Sequence, residues 1–303
     1  MSATGKTIEF ARTPAESKTM RALGSRRWRA DRIVTVLCIA ATLIGLFFLA
    51  SIMFTLLWRG LAAMDFSTFT REFAPTRYGD DSLPTGGLLH AIIGSLIQVG
   101  IATAIGTPIG LLVGTYLAEY AQRSVLGNTV RFVSDILLSA PSILIGLFIY
   151  QLVVLPMGAF SGIAGALALA IIVIPVVVRT TEDMLQLVPN TLREAVIALG
   201  APKWKMITLV AYRAAMSGIV TGILLAIARV AGETAPLLLT SFGNNIVSAD
   251  LSRAMASLPI AIYQQANSGF PDLIEIAWSG ALIVTLGVLV INILARVLLR
   301  KQS

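Results

Sequence analysis

Arg229 and Glu233 stand in a stretch, Ala214 to Phe242, that carries no other charged side chain. Their i, i+4 spacing puts both groups on one face of a helix, one turn apart. An ionised group in hydrocarbon is costly and persists where it faces a bundle interior or a water-filled path beside a partner. The guanidinium is always charged, and its planar fork matches the oxygens of a phosphate-like anion. A neighbouring carboxylate offsets that charge, which makes the pair a candidate functional site. The competing reading is a static ion pair that only fixes helix packing.

The elements that position this pair follow from composition. The chain has 303 residues, of which 56% are hydrophobic and 13% charged, and a mean hydropathy of +0.83. A soluble protein carries roughly twice that charged share. The fold class is therefore an all-α polytopic membrane protein. Apolar stretches near the 20 or so residues that a bilayer demands fall at about 33–57, 88–117, 136–155, 162–178, 214–239 and 276–295, making six spans. The third and fourth share one long apolar run, divided at Pro156–Gly158 and Ser161–Gly162. Gly106, Gly110 and Gly114, and then Gly218 and Gly222, recur every four residues, a spacing that brings helix backbones close. Pro108, Pro141 and Pro175 lie inside spans, where membrane helices tolerate them with kinks. The single cysteine, Cys38, and the single histidine, His90, exclude an internal disulfide and a Cys/His metal cluster.

Six spans leave both termini on one side. Of the 23 Lys and Arg residues, eighteen fall in the tails and in the loops after spans two and four. Four, namely Arg59, Arg71, Arg77 and Arg253, fall on the opposite side, and Arg229 is the last. The positive-inside rule places both termini in the cytoplasm and accounts for the net charge of +7 without nucleic acid. Residues 1–32 read as a flexible basic tail and 33–299 as the transmembrane domain, with a cytoplasmic loop at 179–213. The sixteen residues from Arg213 to Arg229 rise roughly 24 Å as a helix, which sets the pair in the outer half of a core about 30 Å thick. Outside, Leu251, Met255, Leu258, Ile262 and Tyr263 recur at helical spacing and predict a short interfacial helix, with Pro259 working against it. Glu119 and Asp135 read as solvated boundary charges, and His90 as a neutral interfacial histidine.

The loop at 179–213 predicts two short helices separated by Pro189. In the second, Asn190 or Thr191 serves as N-cap, Leu192, Val196 and Leu199 form an apolar stripe, and Gly200 ends the helix. An amphipathic helix of this kind suits a groove on a soluble partner. Glu194-Ala195 followed by Gly200-Ala201 resembles the "EAA" loop of permease subunits of bacterial ABC importers. The resemblance implies the type I permease fold, with these four residues coupling the chain to an ATPase. Val196 replaces the alanine of that motif, and Val210-Ala211-Tyr212-Arg213 replaces its Ile-x-Leu-Pro element.

The run Arg229-Val230-Ala231-Gly232-Glu233-Thr234-Ala235-Pro236 resembles the signature of phosphate importer permeases, more closely the PstA-type than the PstC-type. Within it Arg229, Glu233 and Thr234 are expected on the substrate path, Arg229 attracting the anion and Glu233 holding the guanidinium between transits, since conduction needs attraction and release. The resemblance implies a PstC-like second permease subunit, two ATP-binding subunits and an extracytoplasmic phosphate-binding protein in a bacterial inner membrane. No G-x-x-x-x-G-K-[ST] loop is present, so the chain itself is expected to be no enzyme and to bind no cofactor, with ATP-Mg used by the partner. Another oxyanion, such as molybdate or sulfate, is the alternative cargo. An ion-coupled secondary transporter is the alternative class, and it leaves the amphipathic loop without a purpose.

Overall fold

The computed structural model describes residues 14–74 and 86–300. The first thirteen residues of the basic tail, the segment containing Arg77, and Lys301 lie outside these. Helix α1 runs Pro14–Ala62. The stretch expected to be a flexible tail is thus helical from Pro14 onward. Its Ala, Glu, Lys, Met and Arg residues favour helix, and proline is suited to its first position. The part of α1 up to Thr55 belongs to one compact unit, and the chain from Leu56 onward forms another. Within the first unit the Leu, Ile, Val and Phe residues from Ile33 to Phe54 are exposed all round, as on a helix whose solvent is lipid.

The second unit contains α2 (Phe66–Thr70), α3 (Leu89–Glu119), α4 (Val125–Ser139), α5 (Ser142–Met157), α6 (Gly162–Gln186), α7 (Asn190–Ala198), α8 (Lys203–Ala231), α9 (Ala235–Thr240), α10 (Leu258–Ala266) and α11 (Pro271–Arg300). Among the described residues there are five helices long and apolar enough to cross a membrane, and α4 with α5 makes six when counted as one bent span.

Helix α6 is the most buried of these, and α3 and α8 pack against it. A Cβ on Gly106 or Gly110 stands 2.8 Å or less from Val173 or Val177, and one on Gly114 stands 2.7 Å from Thr181. The glycine stripe of α3 therefore receives a matching i, i+4 ridge of α6. On the other side, Gly218 and Gly222 of α8 admit Met184 and Thr180 of α6 in the same way.

Two expected spans are interrupted. The third is two helices, α4 and α5, bent by 104°. Ala140 precedes a proline, which disfavours the helical region for it. Both Ala140 (ψ 137°) and Pro141 (ψ 129°) are accordingly extended, so Pro141 breaks the helix where a kink was expected. The fifth begins earlier than expected, at Lys203, passes through a π-helical stretch at Met206–Ala211, and ends at Ala231. The remainder of that span is the separate helix α9.

The interfacial helix expected across Leu251–Tyr263 does not form. Met255 and Leu258 are buried, and α10 starts only at Leu258. Pro259 lies in its first turn, where a missing N–H is tolerated. Far from kinking α10, it opens it. The helix packs on α11, where Gly280 leaves room for Ile262.

Candidate functional site

Two groups of functional residues are positioned by these helices. At the Glu119 end of the bundle, α7 is entered through Pro189, which occupies the cap position expected of Asn190 or Thr191. Gly200, at φ +80°, ends it, a conformation that glycine adopts without the Cβ penalty. The expected stripe divides. Val196 packs toward Leu185, Met206 and Ile207, whereas Leu192 and Leu199 stay exposed. Glu194, Ala195 and Gly200 are exposed and Ala201 is half-buried. The helix therefore offers Glu194, Ala195, Leu199 and Gly200 as one free surface.

What roots α7 is Arg193, which sequence reasoning placed in the loop without a role. Its guanidinium pairs with Glu119 and also donates from Nη2 to the Leu185 carbonyl at 2.5 Å. Glu119 is buried, not a solvated boundary charge as expected. Its backbone carbonyl accepts from Lys203 Nζ at 2.5 Å, and that ammonium lies 4.2 Å from the Tyr120 ring centroid. A second pair also joins distant stretches: Arg131 Nε on α4 reaches Glu182 Oε1 on α6 at 2.6 Å. Glu182, 3% exposed, also accepts from Gln186 Nε2 at 2.9 Å. Arg131 donates a further bond to the Leu117 carbonyl at 3.0 Å. Charged residues near span ends were the available signal, but their pairing across 51 and 74 residues of chain has no local sequence signature. Asp135, by contrast, is exposed as expected, 4.0 Å from Arg179.

The second group is Arg229, Glu233 and Thr234. They do not share a continuous helix. Arg229 is in the last turn of α8, Gly232 caps it, and Glu233 lies in the link to α9. The link turns tightly, with Gly232 N–H and Glu233 N–H donating to the carbonyls of Arg229 and Val230, each at 3.3 Å. Thr234 is the N-cap residue of α9, and Pro236 lies in that helix's first turn. A Cβ on Gly146 of α5 stands 2.6 Å from Pro236 Cα, so the new helix is seated closely on α5. Glycine at 232 followed by proline at 236 was the readable sign of this break.

The break keeps the two charges near each other but slackens their contact. Arg229 Nε is 3.8 Å from Glu233 Oε1, and the two side chains are 40% and 18% exposed. That separation is beyond hydrogen-bond range. The guanidinium is thus neutralised at a distance, and among the described residues it donates no hydrogen bond. Among the described residues no group of three or more His, Cys, Asp or Glu side chains is placed to hold a metal ion.

The family model described as "Binding-protein-dependent transport system inner membrane component" matches residues 106–303. The chain belongs to this family. The permease is 51% identical to the "Phosphate transport system permease protein PstA" of Pasteurella multocida over 90% of its own length and 95% of that protein's. The protein of the same name from Yersinia pestis is 48% identical over 98% and 99% of the two chains. More distantly, a PstA 1 protein of Mycobacterium tuberculosis is 36% identical over 95% of the permease. Among solved structures, a chain of a bacterial alginate ABC transporter superposes with a TM-score of 0.63 at 14% identity, over 91% of the permease and 96% of that chain. A chain of the MetNI methionine ABC transporter gives 0.60 at 19%, over 71% and 96%. The fold is that of ABC importer permeases. The permease is a multi-pass membrane subunit of a bacterial ABC importer.

Proposed function

We propose that this permease moves inorganic phosphate inward across the bacterial inner membrane, as one of two unlike permease subunits forming a channel with a PstC-like partner. Both termini and the α7 end of the bundle face the cytoplasm. This orientation rests on the excess of Lys and Arg residues in the tails and at that end of the bundle. Two separate ATP-binding subunits hydrolyse ATP-Mg, and one of them docks on the exposed surface of Glu194, Ala195 and Gly200, with Ala201 shaping its edge. An extracytoplasmic phosphate-binding protein delivers the anion at the opposite end.

The observation that carries the reading is the Arg229 guanidinium, stationed at a helix break and held only loosely by Glu233. An oxyanion drawn to Arg229 gains charge-assisted bonds without first displacing a hydrogen-bonded carboxylate. Glu233, 3.8 Å away, lowers the net attraction so that the anion leaves. Thr234 adds a hydroxyl beside them. The test is uptake of radiolabelled phosphate into vesicles holding the full complex. Phosphate import that sulfate and molybdate fail to compete, lost in Arg229→Ala with assembly intact, supports the reading. Unchanged import in that variant removes Arg229 from the path, and competition by sulfate or molybdate replaces phosphate as the cargo.

A further inference from the structure

At the Leu89 end of α3, opposite Glu119, a cavity of about 160 Å³ is lined by Phe73, His90, Asn244, Ser257, Gln264 and Gln265 among others. Three of these side chains are more than nine-tenths buried, at 4% for His90, 1% for Ser257 and 4% for Gln265. Each has a buried polar atom without a hydrogen-bond partner among the described residues: His90 Nδ1, Ser257 Oγ and Gln265 Oε1. Buried polar groups are nearly always paired. Three unpaired ones around one small cavity mark a place built to surround something polar.

The wall beside them is made by an unusual turn. Phe242 has φ +57°, rare for a bulky residue, and stacks on Phe160 with ring centroids 5.0 Å apart. Gly243 follows at φ +116°, and the chain then runs along the cavity through Asn244. The Asn244 Oδ1 accepts from Ile246 N–H at 3.1 Å.

The chemistry of the lining defines its occupant. A carboxamide oxygen only accepts, a hydroxyl donates and accepts, and a neutral imidazole does one at each nitrogen. The occupant therefore has to donate to Gln265 Oε1 and can accept from the Ser257 hydroxyl. The described lining residues carry no arginine or lysine. A fully ionised dianion has nothing to give Gln265 Oε1. A tetrahedral monoanion that keeps its hydroxyl protons satisfies both kinds of partner.

We propose that this cavity is a second oxyanion site, separate in sequence from Arg229, that selects protonated oxyanions of the dihydrogen phosphate class over fully deprotonated ones. The identity of phosphate as cargo rests on the function proposed above, whereas the selection by protonation rests on the cavity alone.

The test uses the assembled membrane complex without its extracytoplasmic binding protein. Binding is followed by phosphorus-31 line broadening of added inorganic phosphate. Wild type is expected to broaden the signal, with arsenate, which keeps its protons, restoring the narrow line and sulfate leaving it broad. Ser257→Ala and Gln265→Met each weaken the interaction about five- to tenfold, as the loss of one neutral hydrogen bond does. Arg229→Ala removes the share of the broadening that comes from the Arg229 site and leaves the remainder, which the cavity variants then weaken. Co-purification of the ATP-binding subunits confirms that each variant is folded and assembled. Displacement by sulfate, an unchanged signal in both cavity variants, or complete loss in Arg229→Ala overturns the site. Absence of broadening in wild type also overturns it and leaves the cavity to water, for which it has room. These readouts are independent of vesicle uptake, so a cargo other than phosphate in that assay leaves the cavity result standing.

Discussion

The permease holds arginine and glutamate together at opposite levels of its bundle in opposite ways. Arg193 and Glu119 join two elements far apart in sequence, and their side chains are only 12% and 3% exposed. Arg229 and Glu233 are neighbours in sequence, yet lie 3.8 Å apart with the arginine 40% exposed. The same two functional groups thus serve as a fastening in one region and as an open receptor in the other. Packing decides which. Leu185 supplies a carbonyl to saturate Arg193, whereas the helix break at Gly232 carries Glu233 away from the face where it would close on Arg229. Sequence proximity is a poor guide to how tightly two charges are held.

The largest expected effect separates the two roles directly. Arg193→Met strands the Glu119 carboxylate in a buried setting, and breaking a buried pair from one side costs about 3–5 kcal/mol. Thermal unfolding of the purified complex is expected to drop accordingly, and joint replacement with Glu119→Leu to recover most of the loss. If the double variant is no better than the single one, Arg193 acts through its carbonyl contacts and the pair is not the fastening.

Arg229→Ala is the converse. The guanidinium is partly exposed and holds no hydrogen bond among the described residues, so the stability change is expected within about 1 kcal/mol. Phosphate import is expected to fall at least about tenfold, the equivalent of one charge-assisted hydrogen bond to the transported anion. A stability loss matching that of Arg193→Met erases the contrast between the regions.

Lysine replacements sharpen it. At 193 the fork is needed to reach Glu119 and the Leu185 carbonyl together, so Arg193→Lys costs about 1–2 kcal/mol in the same unfolding measurement. At 229 a point charge keeps the attraction, and Arg229→Lys retains more import than Arg229→Ala. Smallest is Gly200→Ala, where a Cβ at φ +80° costs about 1 kcal/mol, seen as weaker retention of the ATP-binding subunits on α7.

Much of this arrangement was readable beforehand. Apolar run length located the first, second, fourth and sixth spans, Gly200 the end of α7, and glycines at four-residue spacing the close helix approach. The intramembrane pair was conspicuous because charge is rare there. Local rules were misapplied at Pro141 and Pro259, which were treated as kinks although each sits at a helix start or break. Another part was out of reach of local reading. Arg193 meets Glu119, and Arg131 meets Glu182, only because α3, α4, α6 and α7 converge in space. Likewise His90 on α3 meets Ser257 and Gln265, at the cap and in the last turn of α10, across more than 160 residues of chain, and no local spacing announces a shared cavity.

The fit of the α3 glycines against Val173, Val177 and Thr181 has a mechanical consequence. The side chains seated in these glycine notches are β-branched and stiff at χ1, so they absorb little displacement by changing rotamers. Helix α3 then behaves as a stiff lever, anchored to α7 by Glu119 at one end and bordering the cavity through His90 at the other. The two residues are about 44 Å apart along the helix axis. A tilt of roughly 5° at the Glu119 end swings the far end by about 4 Å over that length, more than enough to open or shut a space sized for a single small anion.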